Sequence, residues 1–327
     1  MINVMVSGAG GDAGIGVITS LRASGLPIKI FSSCIKPHSA GLWLADKGLL
    51  VWPVVEDRFL SGLIKTIKNE KIDFYIPTVD SEILPMTAWK TRISTETGCE
   101  VLVGNSFGVE IANDKLRTQQ FLVANGLASL KTWLTSSDSL VSEAKHCLPI
   151  VLKPRFGAGS RDQKIVRKID DQSVLVKNDF TVAQEYLEDE TSEFTAGVFV
   201  EEGSKTQVVG FWRSLRSGST VLAQSMEEDS APLSFSRELG ELLGFGYWNV
   251  QGRMRDGVVY SFDVNPRFSG SIGIVSQFFN APAAWVAKAA GLDFDSRTSL
   301  GSENVYTRYL THLAIPKKKI GNLNAAL

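Results

Sequence analysis

The apolar run Ile150–Lys153 ends on a lysine, and Pro154-Arg155-Phe156-Gly157-Ala158-Gly159-Ser160-Arg161 separates it from the next run, Gln163–Val166. A lysine ammonium is a point charge suited to phosphate, and small residues let backbone N–H groups wrap phosphate oxygens. The same residues could also form a hairpin loop with a solvated basic rim, so this cluster alone does not decide. Further along, Asp263 and Asn265 alternate with apolar neighbours in Phe262-Asp263-Val264-Asn265-Pro266-Arg267. Alternation puts both on one face of a strand, and Gln251 in the preceding apolar run can be aligned beside them. Carboxylate and amide oxygens converging from two strands suit Mg²⁺, which takes hard oxygen ligands together with nucleotide phosphates. Arg267 adds a fork-shaped donor for phosphate or carboxylate. An Asp/Asn pair near a turn is by itself as readily structural; its combination with the lysine–glycine loop points to phosphate chemistry.

Two other glycine patterns offer rival chemistries. Gly8-Ala9-Gly10-Gly11-Asp12-Ala13 follows a strand and opens a helix, which satisfies the dinucleotide fingerprint GxGxx[GA] and would make a nicotinamide-dependent oxidoreductase. That reading needs an acid at the end of the second strand to hold ribose hydroxyls, and Phe31-Ser32-Ser33-Cys34 has none. Gly104-Asn105-Ser106-Phe107-Gly108 is a formal GxSxG, followed by Asp293 or Asp295 and His312 in the chain order of a serine hydrolase triad. A helix N-terminus capped by Ser106 explains the same residues. There is no GxxxxGK[ST] and no HExxH, and the histidines are His38, His146 and His312 only, so P-loop and histidine-built metal chemistry are not expected.

The elements that must carry these residues change character along the chain. In the first third, short apolar strands (Ile2–Ser7, Pro27–Ser33, Asp73–Ile76, Glu100–Val103) alternate with helical patterns (Ile15–Ala23, Phe59–Asn69). That is the signature of a doubly wound α/β unit with a parallel sheet covered on both faces. After a helix at Lys115–Ala124, stopped by Asn125-Gly126, and another at Ser139–Lys145, strands come in close succession. Ile150–Lys153, Gln163–Val166, Thr181–Gln184, Glu193–Val200, Gln207–Trp212, Tyr247–Arg253 and Val258–Val264 are joined in part by turns such as Glu202-Gly203 and Asp256-Gly257. These are hairpin signals, so an α+β region with antiparallel sheets is expected. The resulting division is an α/β domain at 1–112, a second domain at 113–295 with subdomains at 113–190 and 191–295, and a polar tail at 296–327.

Composition agrees with an ordinary globular chain. At 327 residues, two domains are the default. Lys and Arg number 34 against 35 Asp and Glu, a balance that argues against a nucleic-acid binder. No apolar stretch is long enough to span a membrane, and Lys288 interrupts Ala281–Ala290. MINVMVSGAG has no basic n-region, and Cys34, Cys99 and Cys147 lack a CxxC pattern, so a cytoplasmic protein with reduced thiols is expected.

Taken together, these residues resemble the ATP-grasp superfamily, most closely the carbamoyl-phosphate-synthase large-subunit-like ligases, over nearly the whole chain and in the same order. The resemblance implies an ATP-grasp fold of two α+β subdomains behind the N-terminal α/β domain. It also implies an ATP-dependent ligase that joins a small-molecule carboxylate to an amine through an acyl phosphate. Asn113-Asp114-Lys115 with Asn125-Gly126-Leu127 would bring Lys115 to ATP phosphates. Lys153 resembles the second phosphate lysine, and Gly157, Ala158, Gly159 and Ser160 the loop over the β- and γ-phosphates. Gln184-Glu185-Tyr186-Leu187 resembles the adenine hinge, with Glu185, Tyr186 and Leu187 as contacts, and Glu193 the acid that holds ribose. Gln251, Asp263 and Asn265 would hold Mg²⁺, two ions being implied. Arg267 would stabilise transferred phosphate, and Arg213 would face the acyl phosphate. Thr78, Asp80, Glu82 and Ser269 are candidates for substrate contact, the first three at a strand end where open α/β sheets place ligands, although helix capping explains them equally. No nucleic-acid or membrane partner is implied, and a homodimer is left open. The chain departs from the pattern at Leu127-Ala128 in place of Ile-Pro, at Asp263 in place of the commoner glutamate, and at Gly197 where an acid is often found.

Overall fold

The computed structural model describes residues 1–157, 163–168, 177–296, 304–309 and 311–324. The chain forms two compact units. One comprises Met1–Ser106, Arg267–Ser302 and Tyr306–Leu327, and the other Phe107–Pro266 with Glu303–Val305. The segment after Pro266, expected to run with the second region as far as 295, thus belongs to the first unit.

The first unit is built from β1 (Ile2–Val6), α1 (Asp12–Ala23), β2 (Ile28–Cys34), α2 (Gly41–Leu44), β3 (Lys47–Leu50), α3 (Arg58–Glu70), β4 (Phe74–Ile76), α4 (Asp80–Thr97) and β5 (Glu100–Val101). Its five strands are parallel in the order β3-β2-β1-β4-β5, as the apolar runs lead one to expect. Val4, Met5, Val6, Ile30, Phe31 and Ile76 are buried. Helix α3 turns Phe59, Leu63, Ile64 and Ile67 into the core, one apolar stripe at helical spacing. Helices Ile272–Val275 and Ala281–Ala289 also belong here. Asn280 caps the second of them, accepting from the Ala283 N–H at 3.2 Å, while its Nδ2 donates to the Ser20 carbonyl of α1 at 2.8 Å.

The second unit contains α5 (Ser106–Asn113), α6 (Lys115–Ala124), β6 (Thr132–Leu134), α7 (Leu140–Ala144), β7 (Ile150–Pro154), β8 (Lys164–Val166), β9 (Thr181–Glu185), β10 (Phe194–Val200), β11 (Gln207–Arg216), β12 (Ser219–Ser225), α8 (Ala231–Leu243), β13 (Gly246–Arg255) and β14 (Val258–Asn265). A four-stranded antiparallel sheet runs β6-β9-β7-β8. A larger antiparallel sheet runs β14-β13-β10-β11-β12, with Val305–Thr307 beyond β12. Phe194, Ala196, Val198, Leu239, Trp248 and Val250 are fully buried between this sheet and its helical cover. The β13–β14 hairpin turns at Asp256-Gly257, whose φ angles of 52° and 77° are both left-handed, the requirement of a type I′ turn. Gly197, where the resemblance leads one to expect an acid, lies under Tyr247: a Cβ there would stand 2.1 Å from the Tyr247 hydroxyl oxygen, so any larger side chain would have to displace the Tyr247 ring.

Candidate active site

In the second unit, Lys153 and Gln184 project from neighbouring strands β7 and β9 on one face, because Val151 pairs with Gln184 and Lys153 is two residues along. The Lys153 ammonium is buried and donates to Gln184 Oε1 at 2.7 Å and to the Phe262 carbonyl at 2.8 Å. Burial pulls its pKa down to about 7; Asp263 opposes that fall and Lys115 adds to it. The Phe262 carbonyl is presented by a β-bulge. Gly252 pairs with Ser261 while the next residue, Gln251, pairs with Asp263, so Phe262 is the extra residue of β14.

The bulge also sets the phase of the rest of β14. Gln251 lies opposite Asp263 and Asn249 opposite Asn265, so four hydrogen-bonding side chains share one face. Asn265 Nδ2 donates to Asp263 Oδ2 at 3.1 Å, Gln251 Nε2 to Asn249 Oδ1 at 2.6 Å, and Asn249 Nδ2 to Thr195 Oγ1 at 2.8 Å. One carboxylate with amide oxygens on adjacent strands matches the hard-donor set of Mg²⁺, which needs only one or two carboxylates when phosphates complete its shell. The residues therefore fit the ion. Among the described residues no group of three or more His, Cys, Asp or Glu side chains gathers, which leaves this mixed oxygen set as the candidate.

Lys115 comes to the same place from the start of α6. Its Nζ lies 3.6 Å from Asp263 Oδ1 and donates to the Gly157 carbonyl. Asp114 caps the helix, accepting from the Leu116 and Arg117 N–H groups at 3.0 and 3.3 Å. The same carboxylate takes the Arg155 guanidinium, from Nε at 2.9 and 3.0 Å and from Nη2 at 2.7 Å, and the Lys115 N–H donates to the Arg155 carbonyl at 3.1 Å. The entrance of the glycine loop is thereby stitched to the first turn of α6. Ala158, Gly159 and Ser160 lie outside the described residues.

Glu193 sits between two arginines. Oε1 accepts from Arg213 Nε and Nη2 at 3.1 and 2.9 Å, and Oε2 from Arg253 Nε and Nη2 at 3.0 and 2.6 Å. Arg213 Nη2 also donates to Gln251 Oε1 at 2.9 Å, and Arg253 to the Leu187 carbonyl. Burial lowers the Arg213 pKa against the pull of Glu193. In the segment expected to be the hinge, Glu185 pairs with Arg255, the Tyr186 ring lies 5.2 Å from the Arg253 guanidinium, and the Tyr186 N–H donates to the Pro149 carbonyl at 3.0 Å. Lys115, Arg213 and Arg253 outnumber Asp263 and Glu193, and Lys153 adds to them when protonated, so this region carries an excess of positive charge, as an anion site requires.

The first unit holds the remaining candidates. Arg267 makes a two-pronged ion pair with Asp80, Nε to Oδ1 at 2.6 Å and Nη2 to Oδ2 at 3.0 Å. Thr78 is tied to the end of β1: its N–H donates to Ser7 Oγ at 2.9 Å and its hydroxyl to the Ser7 carbonyl at 2.7 Å. Glu82 is buried, accepts from the Tyr75 hydroxyl at 3.1 Å, and has its pKa raised by burial against the opposing hydrogen bonds of Ser7 and Tyr75. Ser269 shares a hydrogen bond with Ser271 at 2.9 Å. Among these substrate candidates, Asp80 pairs with Arg267.

The fold accounts for both rival glycine patterns. Ser33 and Cys34 occupy the end of β2 where a dinucleotide site would want an acid. Ser106 opens α5, and Gly108 is needed for packing: a Cβ there would stand 2.4 Å from the Leu243 carbonyl and 2.5 Å from the Trp248 ring. Sequence reasoning gave no role to Asp114, Arg155, Gln184, Asn249, Arg253 or Arg255. The alternation Asn249-x-Gln251-x-Arg253 was the available sign for two of them.

The chain is similar to known proteins in both sequence and fold. It is 24% identical over 123 residues to the carbamoyl-phosphate synthase of Methanobrevibacter smithii, a match covering 37% of this chain and 34% of that protein. It is 23% identical over 211 residues to the carbamoyl phosphate synthase large chain of Pasteurella multocida, covering 58% of this chain and 20% of that one. The chain thus spans about a third or less of the curated relatives it matches. Among solved structures, the biotin carboxylase–β-γ-ATP complex from Campylobacter jejuni superposes with a TM-score of 0.69 at 12% identity, over 90% of this chain and 72% of that one. No family model matches. No helix among the described residues is long and apolar enough to cross a membrane.

Proposed function

Because the chain resembles carbamoyl-phosphate synthase large chains in sequence and shares the fold of ATP-grasp ligases, we propose that it is an ATP-dependent carboxylate–amine ligase. A substrate carboxylate oxygen attacks the γ-phosphorus of ATP, the bond to the β-phosphate oxygen breaks, and ADP leaves. An amine nitrogen then attacks the acyl carbon, inorganic phosphate departs with the bonding pair, and the nitrogen loses a proton to give the amide. The observation that carries this reading is the meeting of Lys153, Lys115 and the Gln251–Asp263–Asn265 oxygens around one bulged strand.

Phosphoryl transfer asks a protein mainly for position and charge, since the charge to be stabilised spreads over the phosphate oxygens. Lys115 and Lys153 supply fixed donors, and phosphate oxygens near Lys153 favour its protonated form. Asp263, Asn265 and Gln251 would hold Mg²⁺, two ions in our reading, which when bound neutralises phosphate oxygens as a Lewis acid. The hinge Glu185–Leu187 would receive the base. Arg267, held by both prongs on Asp80, is assigned to the transferred phosphate, and Arg213 to the acyl phosphate. Asp80 therefore acts as a positioning residue for Arg267.

The test is a screen of carboxylates and amines for phosphate release from Mg·ATP, with hydroxylamine added to trap an acyl phosphate as its hydroxamate. Hydroxamate formation that depends on ATP and on one acid is the expected result. A folded protein that does not bind Mg·ATP, or a Lys153→Met variant that binds it unchanged, sinks the proposal.

A further inference from the structure

A carboxylate offers about four lone-pair directions, and those of Glu193 are all filled by guanidinium N–H groups of Arg213 and Arg253. The three side chains are 7–10% exposed, so each bond is charge-assisted and shielded from water. A sugar hydroxyl entering this shell would have to displace an arginine donor, leaving a buried guanidinium N–H unmatched in exchange for a weaker neutral donor. The arginines are anchored on their far sides as well. Arg253 reaches the Leu187 carbonyl and Arg213 reaches Gln251 Oε1, so neither is a surface side chain that swings away at little cost.

We infer that Glu193 is the buried counter-ion of Arg213 and Arg253 and does not hold the nucleotide sugar, so that nucleotide binding by this chain is tolerant of a deoxyribose. This departs from the role the family resemblance implies for Glu193, and it rests on the proposed nucleotide site. Glu193 instead acts through its arginines: it fixes the hinge at Leu187 from one side and the Gln251 amide from the other.

The experiment is calorimetric titration of the full chain at saturating Mg²⁺ with ADP, 2′-deoxy-ADP, 3′-deoxy-ADP and 2′,3′-dideoxy-ADP. A sugar hydroxyl held by an ionised carboxylate is worth roughly ten- to a hundredfold in affinity. The expected result is four dissociation constants within about fivefold of one another, since no such bond is lost. A weakening of about fivefold or more for any deoxy form, with ADP binding intact, overturns the inference and leaves the nucleotide site standing. Failure of ADP itself to bind sinks the ligase reading, and this inference with it. No variant is needed, so misfolding does not cloud the outcome.

Discussion

Replacing Lys153 with Met removes an ammonium that is 3% exposed and has a pKa near 7, far below the ordinary lysine range. Between the folded and unfolded values the unfolded chain binds the extra proton, so the stability of the native protein rises with pH in that window. Taking about 7 folded and about 10.4 unfolded, the gain from pH 7 to about 8.5 is on the order of 2 kcal/mol from this one residue. Lys153→Met has no such term. It leaves Gln184 Oε1 and the Phe262 carbonyl short of a donor, but that cost does not change with pH. The buried Cys99 thiol, pushed up to about 12, acts in the opposite sense above about pH 9 and is common to both proteins, so it cancels. Urea unfolding of both proteins at pH 7 and about 8.5, at constant ionic strength, reads the difference directly. Wild type should gain about 2 kcal/mol on the variant across that interval. Parallel stability curves would show that Lys153 keeps its charge throughout, and that the two acceptors compensate for its burial.

Two further substitutions probe the frame around the site. Gly197→Ala puts a methyl 2.1 Å from the Tyr247 hydroxyl oxygen in the middle of the larger sheet and should cost about 1–3 kcal/mol in urea unfolding; an unchanged midpoint would mean that Tyr247 moves freely. Asp114→Ala removes both the α6 cap and the Arg155 pair, for an expected loss of about 2 kcal/mol and faster amide exchange in the first turn of α6. Asp114→Asn, which keeps a capping oxygen, should lose less, and equal losses would refute the double role.

Much of the fold was legible because it is written in local periodicity. Four of the five parallel strands of the first unit, the helix Lys115–Ala124 and the hairpin at Asp256-Gly257 appear where their apolar runs and turn residues stand; the short edge strand β3 has no such run. Helix α4 was not legible, because Pro85 interrupts it and its apolar residues form only a weak stripe. Strands β6 and β12 escaped for a different reason: they are short or half polar, and pairing in the sheet decides them. The site divides the same way. Lys153, Asp263 and Asn265 announce themselves by residue type beside apolar runs. The pairs Asp114–Arg155 and Asp80–Arg267, 41 and 187 residues apart, leave no local trace, and neither does the one-residue slip between β13 and β14.

That slip makes β14 a strand with two rhythms. Upstream of Phe262 the buried side chains fall on odd numbers, Val259 and Ser261, whereas downstream the odd positions 263 and 265 carry the polar side chains aligned with Gln251 and Asn249. The extra residue is what changes the parity: Ser261 stands opposite Gly252 and Asp263 opposite Gln251, with one residue between them. What Lys153 uses there is a main-chain carbonyl, which any side chain at 262 would leave in place. Deleting that residue would restore an unbroken ladder in which Ser261 and Asp263 keep their partners and their faces, and would take away the carbonyl that Lys153 meets. The extra residue at 262 thus matters to the lysine and not to the pairing of the strand, and its ring centroid lies 5.8 Å from the Lys153 ammonium and 6.0 Å from the Arg253 guanidinium.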